Sequence, residues 1–191
     1  MKPYCKLKFP FQFIKDECKL PVFDDDQHWH WKYDPVENYI TDEGIQFLKS
    51  FGITEIMSQV FCGWPAKQSA IHVDARVLDD GSLRHRSRWA INFPWNVSKS
   101  EMMWYEPITT EVTGANSFSP NKIKYNVYKE HQVKEIERIV TDGLLLVRID
   151  IPHAVVNYDD NNNRYCISLR DHDLEWSWEQ AVEHFKPYTV E

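Results

Sequence analysis

The sequence predicts a mainly β fold, an antiparallel sandwich or barrel with a few helices attached. Three observations carry that expectation. Between residues 54 and 170, short apolar runs follow one another, each closed by a proline or a cluster of turn residues. Aromatic residues make up 14% of the 191 residues, which fits a folded protein and argues against disorder. The six glycines never stand closer than eight residues apart. That spacing excludes the G-x-G-x-x-G, P-loop and G-x-S-x-G signatures of nucleotide-binding and hydrolase α/β folds.

Taken in order, residues 1–52 form a lead-in and one helix. Asp24-Asp25-Asp26 followed by His28-Trp29-His30-Trp31 reads as irregular and partly buried. Thr41 is placed as an N-cap, with Asp42 and Glu43 in the first turn; Ile45, Leu48 and Phe47 or Phe51 give an apolar stripe, and Gly52 ends it. Residues 53–170 supply the core. Its expected strands are 54–61, 69–75, 88–93 stopped by Pro94, 101–105 stopped by Pro107, 144–151 stopped by Pro152, 153–157 and 164–170. Asp159-Asp160-Asn161-Asn162-Asn163 marks the turn between the last two. The charged segment 122–140 breaks the rhythm and reads either as a loop over the barrel mouth or as an edge hairpin. Residues 171–191 form a tail with a short helix over 177–185 that packs its tryptophans. One domain of 1–191 accommodates all three parts.

Composition narrows the partners. Twenty-two Lys and Arg against 29 Asp and Glu leave a net charge of −7, which speaks against a general polyanion binder and makes nucleic acid an unlikely partner. Cys5, Cys18, Cys62 and Cys166 form no C-x-x-C pair, so a zinc ribbon or thioredoxin-like site is not expected. The N-terminus lacks a signal-like apolar region, no stretch approaches ~18 apolar residues, and mean hydropathy is −0.55. The expectation is a soluble, reduced, cytoplasmic protein with no membrane partner.

The informative string is Ile71-His72-Val73-Asp74. Side chains at i and i+2 of a strand share a face about 6.6 Å apart, so His72 and Asp74 converge while Ile71 and Val73 pack the other way. An imidazole and a carboxylate meeting there suit a divalent metal, although a solvated pair on an edge strand is the plain alternative. His153, between Pro152 and apolar neighbours, is expected to be buried and therefore hydrogen-bonded or ligated. Eleven residues later Arg164 opens a strand on which Arg164, Cys166, Ser168 and Arg170 share one face. An arginine heading a core strand needs a carboxylate, unless it reaches solvent.

The ordered pattern H-x-D, P-H-x-x-x-N, R resembles that of the 2-oxoglutarate- and Fe(II)-dependent oxygenases, across roughly residues 54–170. The strings 88–95 and 103–106 look like strands three and four of small members, and 153–157 is reminiscent of the aspartyl/asparaginyl-hydroxylase-like branch. That branch proper lacks the aspartate present here as Asp74, and a carboxylate there also argues against halogenating members. The resemblance implies a double-stranded β-helix (jelly roll) with a few flanking helices, and His72, Asp74 and His153 as catalytic metal ligands to Fe(II). It implies Arg164 as the anchor of the co-substrate's far carboxylate. Many members carry serine two residues after that arginine, whereas Cys166 stands here and serine comes at 168, so Arg170 is the alternative anchor. Arg164 is preferred for its distance from His153. Asn92 and Tyr105 are further candidates to hydrogen-bond 2-oxoglutarate, or else inward polar residues closing the barrel.

Three protein ligands leave three positions on an octahedral ion. In the family, 2-oxoglutarate takes two and O2 the third; succinate and CO2 are released and a C–H bond is hydroxylated. The implied substrate is a small molecule or peptide. The competing reading is a cupin-like jelly roll that binds a metal or ligand without oxygenase activity. Two lesser clusters complete the candidates: Asp26, His28 and His30 as a rival metal site, and Arg84, His85, Arg86 and Arg88 as a salt-bridged turn or an anion-greeting patch.

Overall fold

The computed structural model describes residues 1–23, 29–77, 83–84, 87–95, 99–109, 113–116, 125–171 and 174–190. In chain order the strands are β1 (Tyr4–Leu7), β2 (Trp29–Asp34), β3 (Ile56–Gly63), β4 (Ile71–His72), β5 (Arg76–Val77), β6 (Leu83–Arg84), β7 (Trp89–Trp95) and β8 (Ser100–Pro107). They continue with β9 (Thr113–Asn116), β10 (Tyr125–Tyr128), β11 (Val133–Val140), β12 (Leu145–Arg148), β13 (His153–Asn157), β14 (Arg164–Asp171) and β15 (Thr189–Val190). Two α-helices, α1 (Asp42–Ser50) and α2 (Trp178–Phe185), flank them.

A seven-stranded sheet runs β15-β1-β12-β7-β14-β3-β2, and a six-stranded sheet runs β11-β8-β13-β4-β10-β9. Every pairing in both is antiparallel. Set aside the peripheral strands, and the remaining eight (β3, β4, β7, β8, β11, β12, β13, β14) pair in the order first–eighth–third–sixth in one sheet and second–seventh–fourth–fifth in the other. The chain alternates between facing sheets in this way in a jelly roll, so the fold is mainly β and of the expected class.

Alternation sorts the side chains into three layers. Val60, Ile91, Leu146, Ile167 and Leu169 leave the outer face of the seven-stranded sheet and pack with Leu48 of α1 and Trp178 and Phe185 of α2. Ala90, Leu145 and Val147 from one sheet meet Met102, Trp104 and Ile139 from the other, which fills the space between the sheets. Ile71, Met103, Tyr105, Val133, Ala154 and Val156, all of the six-stranded sheet, cover its far face. Each fully buried side chain of this size contributes roughly 1.5–3 kcal/mol.

α1 begins at the expected cap, Thr41, and the helix expected over 177–185 runs from Trp178 with Ser177 as its cap. Thr41 Oγ1 accepts from the Gly44 N–H at 3.1 Å, and Ser177 forms a reciprocal capping box with Gln180. Gly44 is required by packing, since a Cβ there would lie 2.7 Å from Ile40 Cγ2 and 3.1 Å from the Phe13 carbonyl. Gly52 closes α1 with φ of +81°.

Several expectations need correction. Residues 29–31, read as irregular, open β2, which pairs along β3 with Trp31 opposite Phe61. β1 and β15 likewise add to the β12 side, so lead-in and tail both extend the sheet. Pro94 does not stop its strand: β12 pairs with β7 only up to Asn92, so Pro94 has a partner on one side alone and its missing N–H is tolerated. The strand expected over 69–75 is only the two residues of β4, and Asp74 lies just past it. Of segment 122–140, residues 122–124 lie outside the described set. The rest is neither lid nor single hairpin: β10 lines β4, and β11 forms the opposite edge against β8. Among the described residues no helix is long and apolar enough to cross a membrane.

Candidate metal centre

Strand register builds the site. β4 and β13 pair so that His72 stands directly opposite His153, and His153 in turn stands opposite Trp104 of β8. Trp104 belongs to the layer between the sheets, so both imidazoles point inward. Their ring centroids are 4.6 Å apart. β4 ends at His72, and the following backbone is pinned by Val73 N–H to the Asn126 carbonyl at 3.2 Å and Asp74 N–H to the Ile149 carbonyl at 3.1 Å. The Asp74 carboxylate is thereby turned onto the imidazoles. Its Oδ1 lies 3.1 Å from His72 Nε2 and 3.9 Å from His153 Nε2. One ligand atom from each of the three residues falls within 4.8 Å of the others.

The remaining polar atoms are committed elsewhere. His72 Nδ1 lies 2.8 Å from the Ala70 carbonyl and His153 Nδ1 2.9 Å from the Ile151 carbonyl. A carbonyl only accepts, so each Nδ1 carries a proton and each Nε2 is the nitrogen turned to the site; His72 Nε2 donates to Asp74 Oδ1 in this structure, and a metal ligated there would take the place of that proton. Asp74 Oδ2 accepts from Arg170 Nη1 at 2.7 Å, so Oδ1 is the oxygen left to the site. Two imidazole nitrogens and one carboxylate oxygen, all oriented by outer contacts, fit a divalent transition ion. Side-chain exposure falls from 25% at His72 through 16% at Asp74 to 5% at His153, which places the opening on the His72 side.

Charge follows the same geometry. Burial opposes ionisation of Asp74, but Arg170, the hydrogen bond from His72 and the nearby His153 hold its carboxyl well below the usual range. Burial also works against a charged His72, and the hydrogen bond and charge of Asp74 overcome it to raise that pKa. Burial, reinforced by the charge of His72, brings His153 down to about 4. At neutral pH the triad therefore offers a carboxylate and at least one neutral imidazole.

The other candidates separate clearly. Arg164 is 4% exposed, and its Nε donates to Ser100 Oγ at 3.1 Å. Among the described residues no carboxylate lies within 4.0 Å of it. Arg170, the alternative anchor, is instead occupied by Asp74. Asn92 sits opposite Ser168, which shares the inner face of β14 with Arg164 and Arg170. Its Oδ1 is buried without a partner among the described residues, and so is Oε1 of Gln59, the residue on the other side of Ser168. Sequence reasoning missed Gln59; the signal was a polar residue at an inward position of β3, legible only once the register was known. Tyr105 is a correction. Trp104 faces His153, so the adjacent Tyr105 must face away, and its hydroxyl donates to Met103 Sδ at 3.5 Å on the far side of the sheet. It cannot reach a co-substrate between the sheets.

Asp26 and His28, and the side chain of His30, lie outside the described residues, as do His85, Arg86 and the side chain of Arg84. Arg88 is exposed immediately before β7.

The fold and site together define a jelly-roll protein with a candidate two-histidine, one-carboxylate metal centre. No family model and no curated protein matches the chain. Among solved structures, a mutant of Bacillus subtilis oxalate decarboxylase is 10% identical and matches 83% of this chain and 30% of its own, with a TM-score of 0.36. Vicilin from Corylus avellana (hazelnut) is 10% identical, over 85% of this chain and 37% of its own, with a TM-score of 0.40. An oxalate oxidase is 6% identical, over 91% and 75%, with a TM-score of 0.39. The chain thus spans about a third of the decarboxylase and vicilin chains. At these values the fold assignment rests on the strand order given above.

Proposed function

We propose that the protein is an Fe(II)- and 2-oxoglutarate-dependent dioxygenase that hydroxylates a C–H bond of a small molecule or peptide. The observation that carries this reading is Arg164: a buried guanidinium without a described carboxylate partner, on the same inner face as the residue that holds Asp74. A buried cation in that state is best explained by an anionic ligand, because an unpaired charge is strongly unfavourable in an apolar interior. A dicarboxylate that chelates a metal at one end and meets an arginine at the other fits both features.

His72, Asp74 and His153 would hold the ion through two nitrogens and Oδ1. Bound Fe(II) would supply open positions for the keto acid and O2, and with them the oxidising power for hydroxylation. The chain's own residues do the rest. The Ala70 and Ile151 carbonyls keep both imidazoles aimed by accepting from Nδ1. Arg164, steadied by Ser100, receives the far carboxylate through charge-assisted hydrogen bonds. The amides of Asn92 and Gln59, flanking Ser168, offer further polar contacts along the cleft. Trp104, Met102 and Val155 form an apolar wall that excludes water beside the site.

The test is anaerobic titration of the Fe(II)-loaded protein with 2-oxoglutarate, followed by admission of O2. A visible charge-transfer band on titration, then succinate and CO2 released one for one, is the expected outcome. A metal-loaded protein that binds no 2-oxoglutarate returns the assignment to a metal-binding jelly roll without oxygenase activity.

A further inference from the structure

Arg170 reaches the site from the sheet opposite the two histidines. Its guanidinium has three contacts among the described residues: Nη1 to Asp74 Oδ2 at 2.7 Å, Nε to Ser168 Oγ at 3.2 Å, and its central carbon over the Phe61 ring at 5.6 Å. The side chain is only 11% exposed, so the contact with Asp74 is shielded from solvent. The division of labour on the carboxylate is the telling feature. Oδ2 belongs to arginine, while Oδ1 faces both Nε2 atoms at 3.1 and 3.9 Å.

A carboxylate can bind a metal through one oxygen or through both. With both, it takes two positions of an octahedron and, beside two histidines, leaves two rather than three. A keto acid needs two and O2 a third. We propose that Arg170 sets the coordination mode of Asp74: by occupying Oδ2 it confines the carboxylate to one-oxygen binding and preserves the third open position. Arg170 is then a positioning residue. Its five donors in a rigid fork suit the task, since two of them are tied down by Ser168 and Asp74 at fixed angles. The inference rests on the metal centre proposed above but not on the identity of the co-substrate.

The experiment uses Mn(II) alone. Wild type, Arg170→Met, Arg170→Gln and Arg170→Lys are loaded with the ion, its affinity is measured, and the exchangeable waters on it are counted by water-proton relaxation. Expected are three waters in wild type and about two in the neutral variants, a loss of roughly a third of the relaxation enhancement at full occupancy. Arg170→Lys keeps a cation on Oδ2 and restores the wild-type count. A neutral variant with the wild-type water count overturns the inference, and so does one that folds with an unchanged unfolding midpoint yet binds no Mn(II). Should Met not fold, Gln, which keeps a donor of similar reach to Ser168, carries the same test. A wild type that holds Mn(II) with three waters but never turns over 2-oxoglutarate ends the dioxygenase reading and leaves this inference intact; a wild type that binds no Mn(II) ends both.

Discussion

Replacing Arg164 with methionine separates a ligand-binding arginine from a structural one, because the two roles predict opposite effects on the ligand-free protein. Among the described residues Arg164 makes one side-chain hydrogen bond, to Ser100 Oγ. Its loss costs about 1.5–3 kcal/mol, the range for bonds to a charged group. Against that, removing a buried guanidinium that has no carboxylate among the described residues recovers a desolvation penalty of several kcal/mol, and methionine fills much of the volume. The ligand-free variant should therefore unfold at the same temperature as wild type or higher. Binding moves the other way. Losing one partner of a buried charge pair costs about 2–5 kcal/mol, so 2-oxoglutarate affinity should fall roughly 30-fold to several-thousand-fold. In a thermal-shift assay with metal present and 2-oxoglutarate at 100 times its wild-type Kd, wild type gains about 2.7 kcal/mol, or roughly 5–10 °C. The variant, with its ligand at or below a few times Kd, should gain less than about 1 kcal/mol. A variant that melts well below wild type without ligand and keeps the full ligand-induced shift refutes the reasoning and makes Arg164 a structural residue.

Four further outcomes follow from the same geometry. His153→Ala and Asp74→Ala should each reduce Mn(II) affinity at least 100-fold by isothermal titration; retention within a few-fold moves the metal elsewhere. In the metal-free protein His153 titrates near 4, below its ordinary value of 6.5, so it binds fewer protons folded than unfolded between those limits. Its contribution, on the order of 3 kcal/mol, is present above about pH 6.5 and is lost as pH falls towards 4; urea midpoints of His153→Gln should show less of that acid loss than wild type, and an unchanged slope would contradict it. Gly44→Ala should destabilise by about 1–3 kcal/mol and lower the midpoint several degrees, since its Cβ would lie 2.7 Å from Ile40 Cγ2. Tyr105→Phe should leave 2-oxoglutarate affinity unchanged within two-fold, and a ten-fold loss would show that its outward placement is wrong.

What was legible in the sequence was what local physics sets. His153 and Asn157 bound β13 as the proline and the polar turn predicted, and Thr41 caps α1 because a hydroxyl at that position satisfies a first-turn N–H group. Inward pairing of His72 with Asp74 was readable from two-residue alternation, even though the strand stops between them. What was not legible depended on register between distant strands. Tyr105 looks as eligible as Trp104 until β8 is aligned with β13, because a shift of one residue exchanges the faces. Arg164 and Arg170 lie on one face of one strand, and only the packing of the opposite sheet decides which meets Asp74 and which meets Ser100. β2 escaped for another reason: tryptophans and histidines at 29–31 alternate in a way that serves an extended lead-in as well as an added strand, and pairing with β3 is a tertiary choice.

The central claim is that His72, Asp74 and His153 grip one ion between the two sheets. Anomalous diffraction from crystals grown anaerobically with Fe(II) or Mn(II), recorded at the absorption edge of the metal, tests it most directly. The account predicts one strong peak per chain, bonded at about 2.0–2.2 Å to both Nε2 atoms and to Asp74 Oδ1, with Arg170 still on Oδ2. A peak anywhere else, or none while the two imidazoles keep their places, contradicts it.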